Sequence, residues 1–487
     1  MKMRPSLQEI KKISEMGEYD ICPVCISIPV GDMLPVEVMK KLMNVSRHCF
    51  LLESAEQCKT WGRYSYLGYD PKLTITCDDG NMVVGDLKLE TDDPARYIRQ
   101  VLEEYRSYKP SEFPTFTGGL VGYFSYDYQK YSEPSLRLAA DNTEGFKDVD
   151  LMLFDKVIVF DNKERQILLI TNVDLSDAEV SYHKAEMELE TMRRLVLDGE
   201  PRRDLKGRIT SDIKPMFEKD RFCSMVEKAK HHIREGDIFQ IVLSNRLEAD
   251  FEGSLLPTYS ILRDMNPSPY MFYFSGSDME VAGASPETLV KLENGVLHTF
   301  PLAGTRPRGK TEEDDKRLEA EMLSDEKELA EHNMLVDLGR NDIGKIAKFG
   351  TVEVEKYHSV ERFSHVMHIG STVRGEIRDG VDALDAIDSI LPAGTLSGAP
   401  KIRACQLIDE MEGVKRGIYG GALGYIDFSG NLDTAISIRI AYKKNGKVYV
   451  RSGAGIVADS VPESEYQECL NKAAAVINAL KASEGEQ

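Results

Sequence analysis

The chain lacks most of the features that would take it out of the ordinary soluble class. None of its 487 residues falls in a window approaching the roughly 18 consecutive apolar residues of a membrane span, so no membrane role is expected. The opening MKMRPSLQEIKKI has no apolar core after its basic residues and reads against a secretory signal. Cysteine supplies no framework: eight are scattered at 22, 25, 49, 58, 77, 223, 405 and 469. That scatter predicts reduced thiols in a cytoplasmic protein. Cys22 and Cys25 have no second pair to complete a zinc site and lie in strand-like CPVCISIPV, so buried thiols are expected there. Positive charge is in deficit, 61 Lys+Arg against 81 Asp+Glu, for a net charge of −20. This excludes nucleic acid or an anionic membrane as the main partner and leaves an anionic metabolite in need of a local cation. Histidines are few, and no serine or cysteine nucleophile motif with a partnered histidine stands out. No cysteine sits in a Gly-x-Cys-x-Gly elbow.

What is present is an irregular alternation of strands and helices, too long for one ordinary core. Residues 92–108, DDPARYIRQVLEEYRSY, read as a helix capped by Asp93 with Pro94 at its first position. VDLMLFDKVIVF and RQILLITNV flank DNKE as a hairpin, and a long amphipathic helix follows over 176–197. The polar stretch 198–215 marks a boundary between an N-terminal region, 1–205, and a second region, 215–487. Beyond it, Asn-Gly turns at 294–295 and 445–446 join strands, which suits α+β with largely antiparallel sheets. GGLVGY at 118–123 and GGALGY at 420–425 share GG-x-x-GY, a short hint of two related halves.

The acidic side chains carry the first chemical signal. Glu328 and Glu331 stand three apart on one helix face, and so do Glu465 and Glu468 on a helix expected to open with Pro462 and a Ser460/Glu463 capping box. Each pair alone reads as a solvated face; two pairs facing one pocket would make a hard-oxygen site suited to Mg²⁺. Anion-binding turns come next. YVRSGAGIVADS runs off a strand into Gly453 and Gly455, and LPAGTLSGAPKIRA precedes a helix starting near Pro400. Arg439 reads as a mid-strand arginine able to clamp a carboxylate. His368 alternates with apolar residues on a strand, and the loop HTFPLAGTRPRGK offers Gly304, Thr305, Arg306 and Arg308.

Together PLAGTRPRG, ELAEHNMLVDLGRND, SHVMHIGS, GTLSGAPK, YGGALGY, SIRIA and GAGIVADSVPESEYQE resemble the chorismate-utilising enzyme family, in the family order over residues 220–480. LLESAE and WGRYSYLGYDP extend the match more thinly toward the N-terminus. The resemblance implies an α+β fold, a large β-sandwich core of mostly antiparallel strands with helices outside, built from two α/β subdomains. It implies Mg²⁺ held directly by Glu331 and Glu468 and through water by Glu328 and Glu465. Chorismate would be cradled by Gly304, Thr305, Thr395, Tyr419, Arg439, Gly453, Ala454, Gly455 and Lys472, with His368 and Thr395 in the catalytic set. Gln240 stands where isochorismate-forming members carry a water-activating lysine, and Ala303 where many aminodeoxychorismate synthases carry an attacking lysine. Glutamine cannot act as a base, and ammonia needs none. The resemblance therefore points to an anthranilate-synthase-type large subunit, fed ammonia by a separate glutamine amidotransferase in a hetero-oligomer, a heterotetramer by family analogy. Tryptophan inhibition would act at Leu52, Glu53, Ser54, Arg63, Pro269, Tyr270, Met271, Leu423 and Tyr425. Aminodeoxychorismate synthesis and a non-catalytic tryptophan-binding subunit are the competing readings.

Overall fold

The structure, a computed structural model, describes residues 3–54, 62–276, 278–362 and 366–484. Ala55, Glu56, Trp61, Ser364 and His365 of the quoted motifs, and Cys58, lie outside them. Two large sheets dominate, and the named strands pair antiparallel throughout. Their facing sides enclose an aromatic-rich layer in which Phe50, Phe272 and Tyr442 of one sheet meet Val121, Phe154 and Leu423 of the other. The outer faces are covered by helices, giving each sheet a second core. This is the α+β sandwich that the family resemblance implies.

Strands from both sides of residues 198–215 share both sheets. In the first, Cys49–Glu53 pairs with Tyr270–Ser275. In the second, Gly119–Phe124 pairs with Ala422–Asp427, and the two GG-x-x-GY copies meet with Gly122 opposite Gly424. The repeat is thus a physical seam: a Cβ on Gly122 or Gly424 would run into the carbonyl of Asp150 or Asp433 on the neighbouring strand.

Local chemistry explains most of the elements. Helix Pro94–Glu103 starts where Asp93 accepts a bond from the Arg96 amide at 3.1 Å. Asn294–Gly295 and Asn445–Gly446 each place two residues in succession at positive φ, as two-residue hairpin turns require. Three expectations need correction. VDLMLFDKVIVF is not one strand: it breaks at Asp155, sending Val149–Phe154 to the second sheet and Lys156–Asp161 to the first. Both pieces are buried on both faces, so periodicity carried no mark of the switch. The C-terminal helix Pro462–Ala482 has Val461 as its cap, not a Ser460/Glu463 box. The Ser460 hydroxyl instead accepts from the Val457 amide at 3.1 Å. Arg439 lies between strands Leu432–Ile436 and Ile440–Lys444, at φ 55°. The described cysteines are free thiols; Cys22 and Cys25 are buried, and burial pushes the Cys22 thiol up to about 12. No described helix is long and apolar enough to cross a membrane.

Candidate active site

A buried ionic knot sets the floor of a large cavity. Glu412, on helix Lys401–Glu412, takes Arg416 Nη2 at 2.5 Å and Arg451 Nη2 at 2.6 Å. It also accepts from Arg416 Nε at 3.0 Å and from the amide and hydroxyl of Ser244 at 2.8 and 3.0 Å. Arg416 also donates to the Leu396 and Val242 carbonyls at 2.6 and 2.7 Å. The three charged side chains are essentially inaccessible to water, so each depends on the others for compensation. Strand Gln240–Gly253, strand Lys447–Ile456 and the turn Gly394–Leu396 are thereby fixed together.

Above this floor opens a cavity of about 920 Å³. Both glutamate pairs line it: Glu328 and Glu331 from helix Glu326–Gly344, Glu465 and Glu468 from Pro462–Ala482. Asp325 caps the first helix by accepting from the Lys327 and Glu328 amides, at 3.1 and 3.3 Å. Burial, then the neighbouring Glu328 charge, holds Glu331 above the usual carboxylate range; burial chiefly does the same for Glu465, with Glu468 adding to it. Arg306 Nη1 sits 3.2 Å from Glu328 and Lys472 Nζ 2.6 Å from Glu468. Four carboxylates converging at one wall, two of them disfavoured as anions, fit a divalent hard cation. Among the described residues, the one acidic group with three ligand atoms mutually within 4.8 Å is Asp78, Asp79 and Asp148. Lys130 and Lys415 are already paired with Asp79 and Asp148 of that group. The glutamates stand wider apart than this, which suits an ion that keeps waters between itself and some of its partners, as Mg²⁺ does.

The same cavity holds the groups able to move protons. His368 Nδ1 is 2.7 Å from the Gly304 carbonyl and 3.2 Å from the Thr305 hydroxyl. Donation to the carbonyl makes Nε2 the basic nitrogen, and burial holds the ring below its usual pKa. Glu287, which sequence reading passed over, also lines the cavity and accepts the Thr395 hydroxyl at 3.0 Å. Burial raises it to about 7, with Thr395 and Lys472 acting in the opposite sense. A single acid in the break between two strands, SPET, leaves no spacing pattern to detect.

Gln240, Ala303, Gly304, Thr305, Thr395, Tyr419, Arg439, Gly453, Gly455 and Lys472 line the same cavity. Gly453 and Gly455 lie within a strand rather than in a turn, opposite Ser244 and Val242. A Cβ at Gly453 would stand 2.9 Å from the Leu243 carbonyl and 3.0 Å from the Tyr419 hydroxyl; one at Gly455, 3.1 Å from Gln240 Nε2. Ala454, between them, turns its side chain the other way into a core with Ile241 and Leu243, because strand neighbours alternate faces. Arg439 donates to the Lys472 carbonyl, and Lys472 Nζ to the Gly453 carbonyl at 3.1 Å. Arg306 and Arg308 are taken up by ion pairs, Arg306 with Glu321, Asp325 and Glu328, Arg308 with Asp315. The segment Leu302–Pro307 is a strand with a register shift at Gly304–Thr305, not a free loop.

A second cavity, about 290 Å³, sits where the halves of both sheets meet. Leu52, Glu53, Ser54, Arg63, Pro269, Tyr270, Met271, Leu423 and Tyr425 all line it, with Lys291, Glu293 and Asp433 not anticipated. Glu53 is already held by the Tyr259 hydroxyl and by Arg263 Nε at 2.8 Å, and Arg63 by Asp161 at 2.8 Å. The Ser54 hydroxyl is buried without a hydrogen-bond partner among the described residues. Apolar walls, charged side chains of both signs (Lys291, Glu293 and Asp433) and an unsatisfied hydroxyl suit a small zwitterion with an apolar side chain.

Comparison with known proteins adds three findings. A family model described as chorismate binding enzyme matches residues 47–478. Anthranilate synthase component 1 of Acetivibrio thermocellus is 43% identical over 98% of each chain, and aminodeoxychorismate synthase component 1 of Bacillus subtilis is 40% identical over 94% of this chain and 98% of that one. The crystal structure of anthranilate synthase component I from Streptococcus pneumoniae superposes with a TM-score of 0.76 at 38% identity, covering 92% of this chain and 98% of the other.

Proposed function

The chain belongs to the chorismate-binding enzyme family, and we propose that within it the chain is the ammonia-using large subunit of an anthranilate synthase. It would convert chorismate and ammonia to anthranilate, pyruvate and water, the first committed step of tryptophan biosynthesis. The observation that carries this reading is one cavity combining two glutamate pairs, Glu287 and His368 with a non-basic Gln240 and a non-nucleophilic Ala303.

In this reading Glu331 and Glu468 would hold magnesium directly, and Glu328 and Glu465 through water. The ion would supply Lewis-acid charge to the ring carboxylate and to the departing hydroxyl. Arg439 and Lys472, with the backbone at Gly453–Gly455 and Gly304–Thr305, bind and orient the carboxylates. Glu287 carries a proton near neutral pH and is placed by Thr395 to deliver it to a leaving oxygen. Gln240 and Ala303 leave the ring carbon to ammonia itself. His368 Nε2 then takes the ring proton as pyruvate leaves and the ring aromatises. The same cavity would serve aminodeoxychorismate formation if pyruvate were retained, and the similarity to that enzyme favours keeping it as the second reading.

Ammonia would come from a separate glutamine-hydrolysing subunit in a cytoplasmic hetero-oligomer, as the name "component 1" of the relatives supports. The second cavity would take tryptophan as feedback inhibitor. Chorismate consumption with titrated Mg²⁺ tests the metal assignment. Glu468→Gln is expected to lower kcat/KM at least about 100-fold, some 2.7 kcal/mol of transition-state stabilisation, while leaving tryptophan binding intact. Retained turnover would remove Glu468 from the metal site.

A further inference from the structure

The two cavities are joined by one short piece of chain. Strand Met279–Ser285 belongs to the first sheet and strand Thr288–Glu293 to the second, so Pro286 and Glu287 form the crossover between layers. Glu287 projects into the main cavity, where Thr395 bonds it at 3.0 Å. On the other side, Tyr270 grips this crossover at both ends. Its main chain pairs with Ser285, and its side-chain oxygen accepts the Thr288 hydroxyl at 2.9 Å. The Tyr270 hydroxyl in turn donates to Asp433 at 2.8 Å, and both Tyr270 and Asp433 line the second cavity. Ile436 closes the crossover from the second sheet, its amide donating to the Glu287 carbonyl at 3.0 Å and its carbonyl accepting the Ser285 hydroxyl at 2.7 Å.

We propose that Thr288 is a positioning residue that couples the cavities: through its bond to Tyr270 it sets where Glu287 stands, so an occupant that moves Tyr270 or Asp433 displaces the acid from the chorismate site. Anything that repositions the Tyr270 ring must either break the Thr288 bond or drag the crossover with it. Glu287 has only one residue between itself and Ser285 and none between itself and Thr288, so it has no slack to absorb such a shift. An element gripped from both sides in this way can be biased by either cavity, and linkage requires the bias to be reciprocal. This inference rests on the reading of the second cavity as an inhibitor site.

The test is a coupling ratio, which a purely structural role for Thr288 would not change. Tryptophan affinity is measured by calorimetry with and without saturating chorismate and Mg²⁺ in the absence of ammonia. Chorismate affinity is measured by the same calorimetry, in the absence of ammonia, with and without saturating tryptophan. In the parent chain both ratios should agree and be about tenfold or more. In Thr288→Val, which keeps the shape and removes the hydroxyl, both should fall below about threefold while tryptophan still binds the chorismate-free protein. Thr288→Ser, which restores the hydroxyl, should regain the parent's ratio. A Thr288→Val protein with the parent's ratio, or a Thr288→Ser protein as uncoupled as Thr288→Val, would overturn the proposal. If the parent itself binds no tryptophan, it is the inhibitor-site reading that fails, and the coupling role falls with it.

Discussion

Glu287 sits on the crossover between the two sheets and lines the larger of the two cavities. Its carboxyl is raised from 4.5 to about 7, first by burial. The sign of its effect on stability follows. The folded chain keeps a proton that the unfolded chain gives up, so this contribution is fully present below pH 4.5 and is lost as pH rises through about 7. Glu287→Gln should therefore gain stability relative to the parent chain on going from pH 5 to pH 8. The gain should be on the order of 2 kcal/mol, reduced from the full shift by the part of the side chain that faces the cavity. Urea unfolding at the two pH values reads it, and a difference independent of pH would show that Glu287 titrates normally. His368 differs in kind: its alternation with apolar residues reads as a core histidine, only the family resemblance singles it out, and the structure adds the Gly304 carbonyl that sets its tautomer.

At the scale of elements, legibility tracked local chemistry. The Asp93 cap, the Asn-Gly turns and both glutamate-bearing helices were readable because their signals lie within a few residues of one another. The split at Asp155, the strand setting of Gly453 and Gly455, and the backbone turn at Arg439 were not, since each depends on which sheet a segment joins. Family resemblance, rather than spacing, brought residues as distant as Glu53 and Tyr425 to one list; the fold lines one cavity with them but ties Glu53 and Arg63 to other partners. The Glu412–Arg416–Arg451 knot left no signal in the sequence and yet fixes the cavity floor. Glu412→Gln would leave two buried guanidiniums short of a counter-charge and should cost about 3 kcal/mol of unfolding free energy. A loss below about 1 kcal/mol in the same unfolding assay would mean that water or backbone carbonyls compensate the arginines.

For the whole molecule, a net charge of −20 and an anionic substrate are reconciled by separation of scales. Exposed charges are screened over about 8 Å at physiological ionic strength, whereas two basic side chains inside a cavity, and a cation held by its glutamates, would act at contact distance in a lower dielectric. The sandwich supports this by bringing the acidic helices, the glycine-bearing strand and the Glu287 crossover to one face, while the seam between its halves holds the second cavity. The most direct measurement gives the purified chain chorismate, Mg²⁺ and ammonium, and quantifies anthranilate by fluorescence together with released pyruvate. The account predicts equal amounts of both, nothing when glutamine replaces ammonium, and nothing in the presence of a chelator. Chorismate consumed with pyruvate retained in an aminated product, or turnover that continues without magnesium, would contradict it.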